Sequence, residues 1–106
     1  MESPFAWQEA GGVLGTPDRR RVVQCALSRV CGACGQTLGR PIAFLGTEEE
    51  VGRNAFHAPP LHLACAARLR ARMPGTELVT TAGFEFVRAS AEEEDRRPTF
   101  QPNSLL

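Results

Sequence analysis

The chain has 106 residues, 42% of them hydrophobic, and a formal net charge of zero. That length holds one small domain with a limited apolar core, the kind that commonly needs a staple. No run of about 18 apolar residues offers a membrane span, and the opening MESPFAWQEAGG lacks the basic-then-apolar order of a secretory signal, so a cytoplasmic chain with no membrane partner is expected. The neutral total hides an arrangement: nine arginines between Arg19 and Arg72 face only Glu48, Glu49 and Glu50, while both ends are acidic. Every basic residue is arginine, a preference that a GC-rich coding sequence would produce without selection for phosphate binding.

Residues 1–15 mix Phe5, Trp7, Val13 and Leu14 with glycines in no sustained period and read as an irregular arm. Thr16 as cap, Pro17 at the first helical position and Asp18 near the helix start predict a helix to about Val30. Its apolar stripe combines Val22, Ala26 and Val30 with Val23 and Leu27. A strand follows Arg40-Pro41, a loop spans Gly46 to Gly52, and Asn54 to His57 return as a second strand. Pro59-Pro60 set up a helix from Leu61 to Met73, which Pro74-Gly75 end. Glu77–Thr81 and Phe84–Arg88 read as a hairpin or as two strands around a bend. The charge block and prolines beyond residue 90 predict a mobile tail over 91–106, leaving a zinc-stabilised domain over 16–90.

Cys31 and Cys34 are spaced Cys-x2-Cys and, after 27 intervening residues, His62 and Cys65 are spaced His-x2-Cys. Three thiolates and an imidazole fill all four positions of a tetrahedral zinc ion, so one structural zinc is expected, with no vacant position for chemistry. Gly32 and Gly35 permit the tight turn of a zinc knuckle, and His62 and Cys65 at i and i+3 share a face of the following helix. Such an ion supplies about 10–16 kcal/mol of apparent binding energy that doubles as folding energy. A disulfide framework does not suit a reducing compartment, and a redox Cys-x2-Cys expects a preceding strand where a helix is predicted here. His57 competes with His62 as fourth ligand but lacks the i, i+3 relation to Cys65, and Cys25 reads as a small buried hydrophobe.

Knuckle, hairpin, then a helix carrying the second ligand pair is the order of a treble-clef zinc finger, which this chain resembles in Cys31-Gly-Ala-Cys34-Gly and His62-Leu-Ala-Cys65, over roughly residues 30–73. The resemblance implies an α+β fold and no single function, because treble clefs serve in nucleic-acid binding, protein binding and nuclease chemistry. The whole chain is also similar to small cysteine-containing proteins of actinobacteria and their phages, which brings no activity with it.

A treble-clef nuclease would use His57 as its base, but the helix offers no further ligands for a catalytic metal. A deaminase needs His-x-Glu and an open zinc position, and neither is present. A non-catalytic module that binds a protein partner is the leading expectation, with Phe5, Trp7, Phe84, Phe86, Phe100, Leu105 and Leu106 serving either as apolar anchors or as cover for a small core. Nucleic acid is the alternative partner, with Arg19, Arg20, Arg21, Arg68 and Arg72 as candidate contacts.

Overall fold

The computed structural model, which describes residues 4–104, has a hairpin where the sequence suggests an irregular arm. Strands β1 (Trp7–Ala10) and β2 (Val13–Pro17) pair antiparallel, and Gly11 and Gly12 between them adopt φ of 60° and 79°. Two consecutive positive φ angles make the mirror-image turn whose twist matches that of the flanking strands, and glycine adopts them without a Cβ clash. Phe5 and Ala6 donate their N–H groups to the carbonyls of Ala33 and Gly32 at 3.0 and 2.8 Å, so the hairpin is laced to the cysteine loop. Trp7 is buried at its root.

Helix α1 (Arg19–Ser28) starts later than its sequence suggests, because Pro17 closes β2 opposite Trp7 and Asp18 takes the capping position. The Asp18 carboxylate accepts from the Arg21 N–H at 3.2 Å, which satisfies one of the free donors of the first turn. Val22 and Cys25 are its buried residues, while Leu27 is 73% exposed and lies off the stripe expected of it.

Every residue of β3 (Ile42–Gly46) is buried, as befits a central strand. It lies between β4 (Leu61–His62) and β5 (Glu77–Thr81), antiparallel to both. The segment after β3 is helical and not a loop: α2 (Glu48–Arg53) opens with a reciprocal box in which Glu50 N–H donates to Thr47 Oγ1 at 3.2 Å and Thr47 N–H donates to Glu50 Oε1 at 3.0 Å. Asn54, at φ 53°, ends the helix, so the strand expected over Asn54 to His57 shrinks to one bridge between Phe56 and Phe100. Helix α3 (Leu63–Leu69) begins after His62 and tightens into a 3-10 turn over Arg70–Arg72.

Strands β5 and β6 (Gly83–Val87) are separate and do not form a hairpin with each other. Strand β6 pairs with β7 (Thr99–Ser104), which lies in the stretch read from sequence as a mobile tail. At the bend between β5 and β6 the buried Thr81 hydroxyl lies 2.7 Å from the carbonyl oxygens of both Gly83 and Ser104. Leu105 and Leu106, suggested as apolar anchors, lie outside the described residues.

Strand alternation sends the two faces of β3 into two different cores. Ala43 and Leu45 join Cys31, Leu61, Cys65, Ala66 and Leu69 on one side. Ile42 and Phe44 join Val22, Phe56, Phe84 and Phe100 on the other. In the second core the Phe44 and Phe56 rings stack at 5.4 Å, and Phe84 meets Phe100 edge-on at 5.5 Å. No helix among the described residues is long and apolar enough to cross a membrane.

Candidate metal centre

The Cys31–Gly35 turn is closed by Gly35 N–H donating to Cys31 O at 2.8 Å and by Cys31 N–H donating to Gln36 O at 2.8 Å. Its two glycines serve different ends. Gly35, at φ 73°, makes the turn, whereas Gly32 is needed for close approach: a Cβ there would lie 2.5 Å from Pro59 Cγ and 3.1 Å from the Trp7 ring. Gly32 N–H also donates to Pro60 O at 2.8 Å, which ties the turn to the segment leading into β4. Strand β4 then sets His62 opposite Ile42, and the first turn of α3 brings Cys65 back beside it.

These connections bring together the four side chains singled out by spacing. One ligand atom from each of Cys31, Cys34, His62 and Cys65 lies within 4.8 Å of every other, a group able to hold one metal ion. For a tetrahedral ion with metal–sulfur and metal–nitrogen bonds of ordinary zinc length, sulfur–nitrogen edges come to about 3.6 Å. His62 Nδ1 lies 3.3 Å from Cys34 Sγ and 4.0 Å from Cys65 Sγ, on either side of that length, so the donor set fits such an ion.

The surroundings fit it too. His62 Nε2 is 2.9 Å from the Thr37 carbonyl oxygen, which can only accept, so Nε2 carries the proton and the Nδ1 lone pair faces the sulfurs. A backbone carbonyl fixing the second nitrogen of a ligating histidine is the usual outer support of a metal site. Ala33 and His62 each donate a backbone N–H to Cys31 Sγ at 3.4 Å, and Arg68 Nη2 reaches Cys65 Sγ at 4.0 Å. Those donors favour thiolate sulfur.

Burial, with a smaller push from the neighbouring Cys65, raises the Cys31 thiol to about 11, against the pull of backbone N–H groups from Cys34, His62 and Ala33. At exposed Cys34 a smaller desolvation is outweighed by the Gln36 N–H and by the Cys31 and His62 side chains, so this thiol lies below its ordinary value. A divalent cation reverses the penalty at Cys31 by holding a coordinating sulfur as thiolate. Cys25 stays outside the group. Burial, then the neighbouring Cys31, push it up to about 12 despite Arg21, the profile of an inert packed thiol.

His57 is engaged elsewhere. Its backbone N–H donates to Glu50 Oε2 at 2.8 Å, its ring Nδ1 lies 3.3 Å from Pro98 O, and its Nε2 is 3.5 Å from Asp95 Oδ2. Three of the five arginines named as nucleic-acid contacts have contacts within the chain. Arg72 pairs with Glu9 at 2.7 Å and donates to Gly12 O, Arg68 leans on Cys65, and the Arg21 guanidinium sits 4.4 Å over the Phe5 ring. The aromatic residues suggested as anchors are core or packed against it: Trp7, Phe84 and Phe100 are buried, with Phe5 and Phe86 lying on them. Reading the sequence missed Thr37, whose contribution is a backbone carbonyl and therefore leaves no signal in residue type. No protein-family model matches the chain, and no curated protein or solved structure shows a significant match to it.

Proposed function

We propose that this chain is a non-catalytic binding module of the cytoplasm whose fold is held by one structural zinc ion in a treble-clef arrangement. The observation that carries it is the convergence of the four Cys and His ligand atoms within 4.8 Å, three sulfurs and one nitrogen. Such a set fills the tetrahedron, and a filled tetrahedron leaves no position for water or substrate. The treble-clef reading draws support from the order of parts: a glycine-bearing cysteine turn, β3 paired with β4, then α3 with Cys65 in its first turn. Here α2 is inserted between the two strands.

With the ion committed to structure, the working part is a surface. Since the aromatic side chains are spent on the cores, the partner meets a polar and charged face, and large exposed apolar side chains among the described residues are limited to Val13, Leu27 and Leu63. A nuclease using His57 is disfavoured by the commitment of that ring to Asp95 and Pro98. Native mass spectrometry of the purified chain tests the reading. One zinc per chain, lost in Cys34→Ser, is the expected result, and a metal-free chain with an unchanged thermal transition defeats it.

A further inference from the structure

The face formed by the start of α1, the residues after β6 and the approach to β7 carries a second cluster of chemistry, remote in sequence from the cysteines. A recess of about 320 Å³ there is walled by Arg19, Arg88 and Arg96 together with Val23, Ala89 and Pro98, and no carboxylate lines it. A neighbouring recess of about 290 Å³ shares Arg19, Arg96 and Pro98 and adds an apolar wall from Pro17 and Val22, with His57 at its side. The acidic residues of this region, Glu93, Glu94 and Asp95, line a third recess, and Arg88 stands on the wall between it and the first. Asp95 is already taken by Arg97 at 2.7 Å, which holds its carboxyl well below the usual range.

Three exposed arginines around one small concavity that no carboxylate lines give it a positive potential. Arg53, Arg72 and Arg97 each have a carboxylate partner, whereas Arg19, Arg88 and Arg96 have no ion pair among the described residues. Arg88 lies only near the Phe86 ring, at 5.7 Å. The three come from positions 19, 88 and 96, so local sequence does not explain their meeting; the fold brings them there by pairing β6 with β7 and bridging Phe56 to Phe100.

We propose that these two adjoining recesses form a binding site for an organic phosphate of about mononucleotide size, the phosphate lying among Arg19, Arg88 and Arg96 and the apolar body against Pro17, Val22 and Pro98. This names the ligand class of the binding module proposed above and rests on that reading. Guanidinium forks match phosphate oxygens two at a time, and an anion complements the positive potential of the recess. Volumes near the lower end of the roughly 300–1,000 Å³ span of small-molecule sites suit a compact ligand. A nucleic-acid strand would instead call for a stripe of cations along its backbone, and the cluster is focal, with Arg68 and Arg72 engaged elsewhere.

The test is titration calorimetry of the full zinc-loaded chain with 5′-AMP, inorganic phosphate, adenosine and a single-stranded oligonucleotide as probes. AMP should saturate one site, with phosphate and adenosine each binding more weakly. Arg19→Ala and Arg96→Ala should each weaken AMP by about tenfold, the loss of one charge-assisted contact, while Arg20→Ala, exposed and outside the recess, changes nothing. No response to AMP or to phosphate overturns the site. Equal weakening by Arg20→Ala also overturns it by showing diffuse attraction, and an oligonucleotide that binds more tightly, with a steep salt dependence, replaces it with a nucleic-acid surface. Zinc content measured on the same samples separates the outcomes: a phosphate site that survives metal removal counts against the structural zinc and leaves the recess standing.

Discussion

The two faces of β3 are stabilised by different means. Toward the cysteines the strand presents Ala43 and Leu45 to a core built largely of alanine and cysteine, with Trp7 as its one buried aromatic. Toward α1 it presents Ile42 and Phe44 to a cluster with three further phenylalanines. Small side chains contribute little burial each, whereas a fully buried phenylalanine contributes about 1.5–3 kcal/mol. The difference teaches where a metal ion would add most: the group able to hold one lies on the side with the smaller side chains, in a domain of a size that commonly recruits a staple.

Substituting one residue on each side breaks that comparison most directly. Cys65→Ser should abolish metal binding and cooperative folding together, since the apparent zinc energy of about 10–16 kcal/mol is as large as the whole stability of a typical domain. Thermal denaturation with and without a chelator reads it, and a cooperative transition in the chelated wild-type chain would show that the phenylalanine side suffices alone. Phe100→Ala, on the opposite side, should cost about 3–5 kcal/mol by cavity formation. Denaturation in excess zinc should show that loss while one zinc per chain is retained; loss of both would mean that the two cores are one cooperative unit.

A third test sharpens the contrast by pH. The chain has no lysine and no tyrosine, so above pH 9 its cysteines dominate side-chain titration. Cys25 is held neutral in the fold, its pKa raised from 9.0 to about 12, and ionises first in the unfolded chain. The stability this contributes is complete below pH 9 and falls away as pH climbs toward 12, by about 1 kcal/mol at pH 10. The three ligand thiols, unprotonated on the ion and protonated in the unfolded chain below pH 9, add stability with rising pH, so the Cys25 contribution is read as a difference. In urea denaturation of zinc-loaded protein, Cys25→Ala should gain about 1 kcal/mol on the wild-type chain between pH 8 and pH 10, and no gain would place the loss elsewhere. The smallest effect belongs to Thr47→Ala, which removes one half of the α2 cap and should cost about 1 kcal/mol in the same measurement.

How much of this was legible in the sequence depends on the range of the interaction. Cys31 with Cys34, and His62 with Cys65, announce themselves because each pair is fixed by local backbone geometry, and α1, β3 and β5 follow from apolar pattern. Two local signals were present but unread: Gly11-Gly12 as a two-residue turn, and Thr47 with Glu50 as a reciprocal cap. The error at β7 has another source. Pro102 argues against a strand, yet β6 is the only strand that β7 pairs with, its other edge meeting just the Phe56 bridge at Phe100, and Pro102 sits opposite Phe84 where the register shifts, a place where a missing N–H is tolerated. The meeting of Arg19, Arg88 and Arg96 was beyond reach because it depends on that strand being formed.

Because β3 serves as a wall common to both interiors, its alignment is unusually unforgiving. Sliding it by a single residue would turn Phe44 toward the cysteines and Ala43 toward the phenylalanines, overfilling one chamber and hollowing the other. The Ile42–His62 pairing places the imidazole in line with the three sulfurs only in the correct alignment. Capture of the ion would therefore act as a proofreader of the folded topology, rewarding the single threading in which both chambers are properly filled.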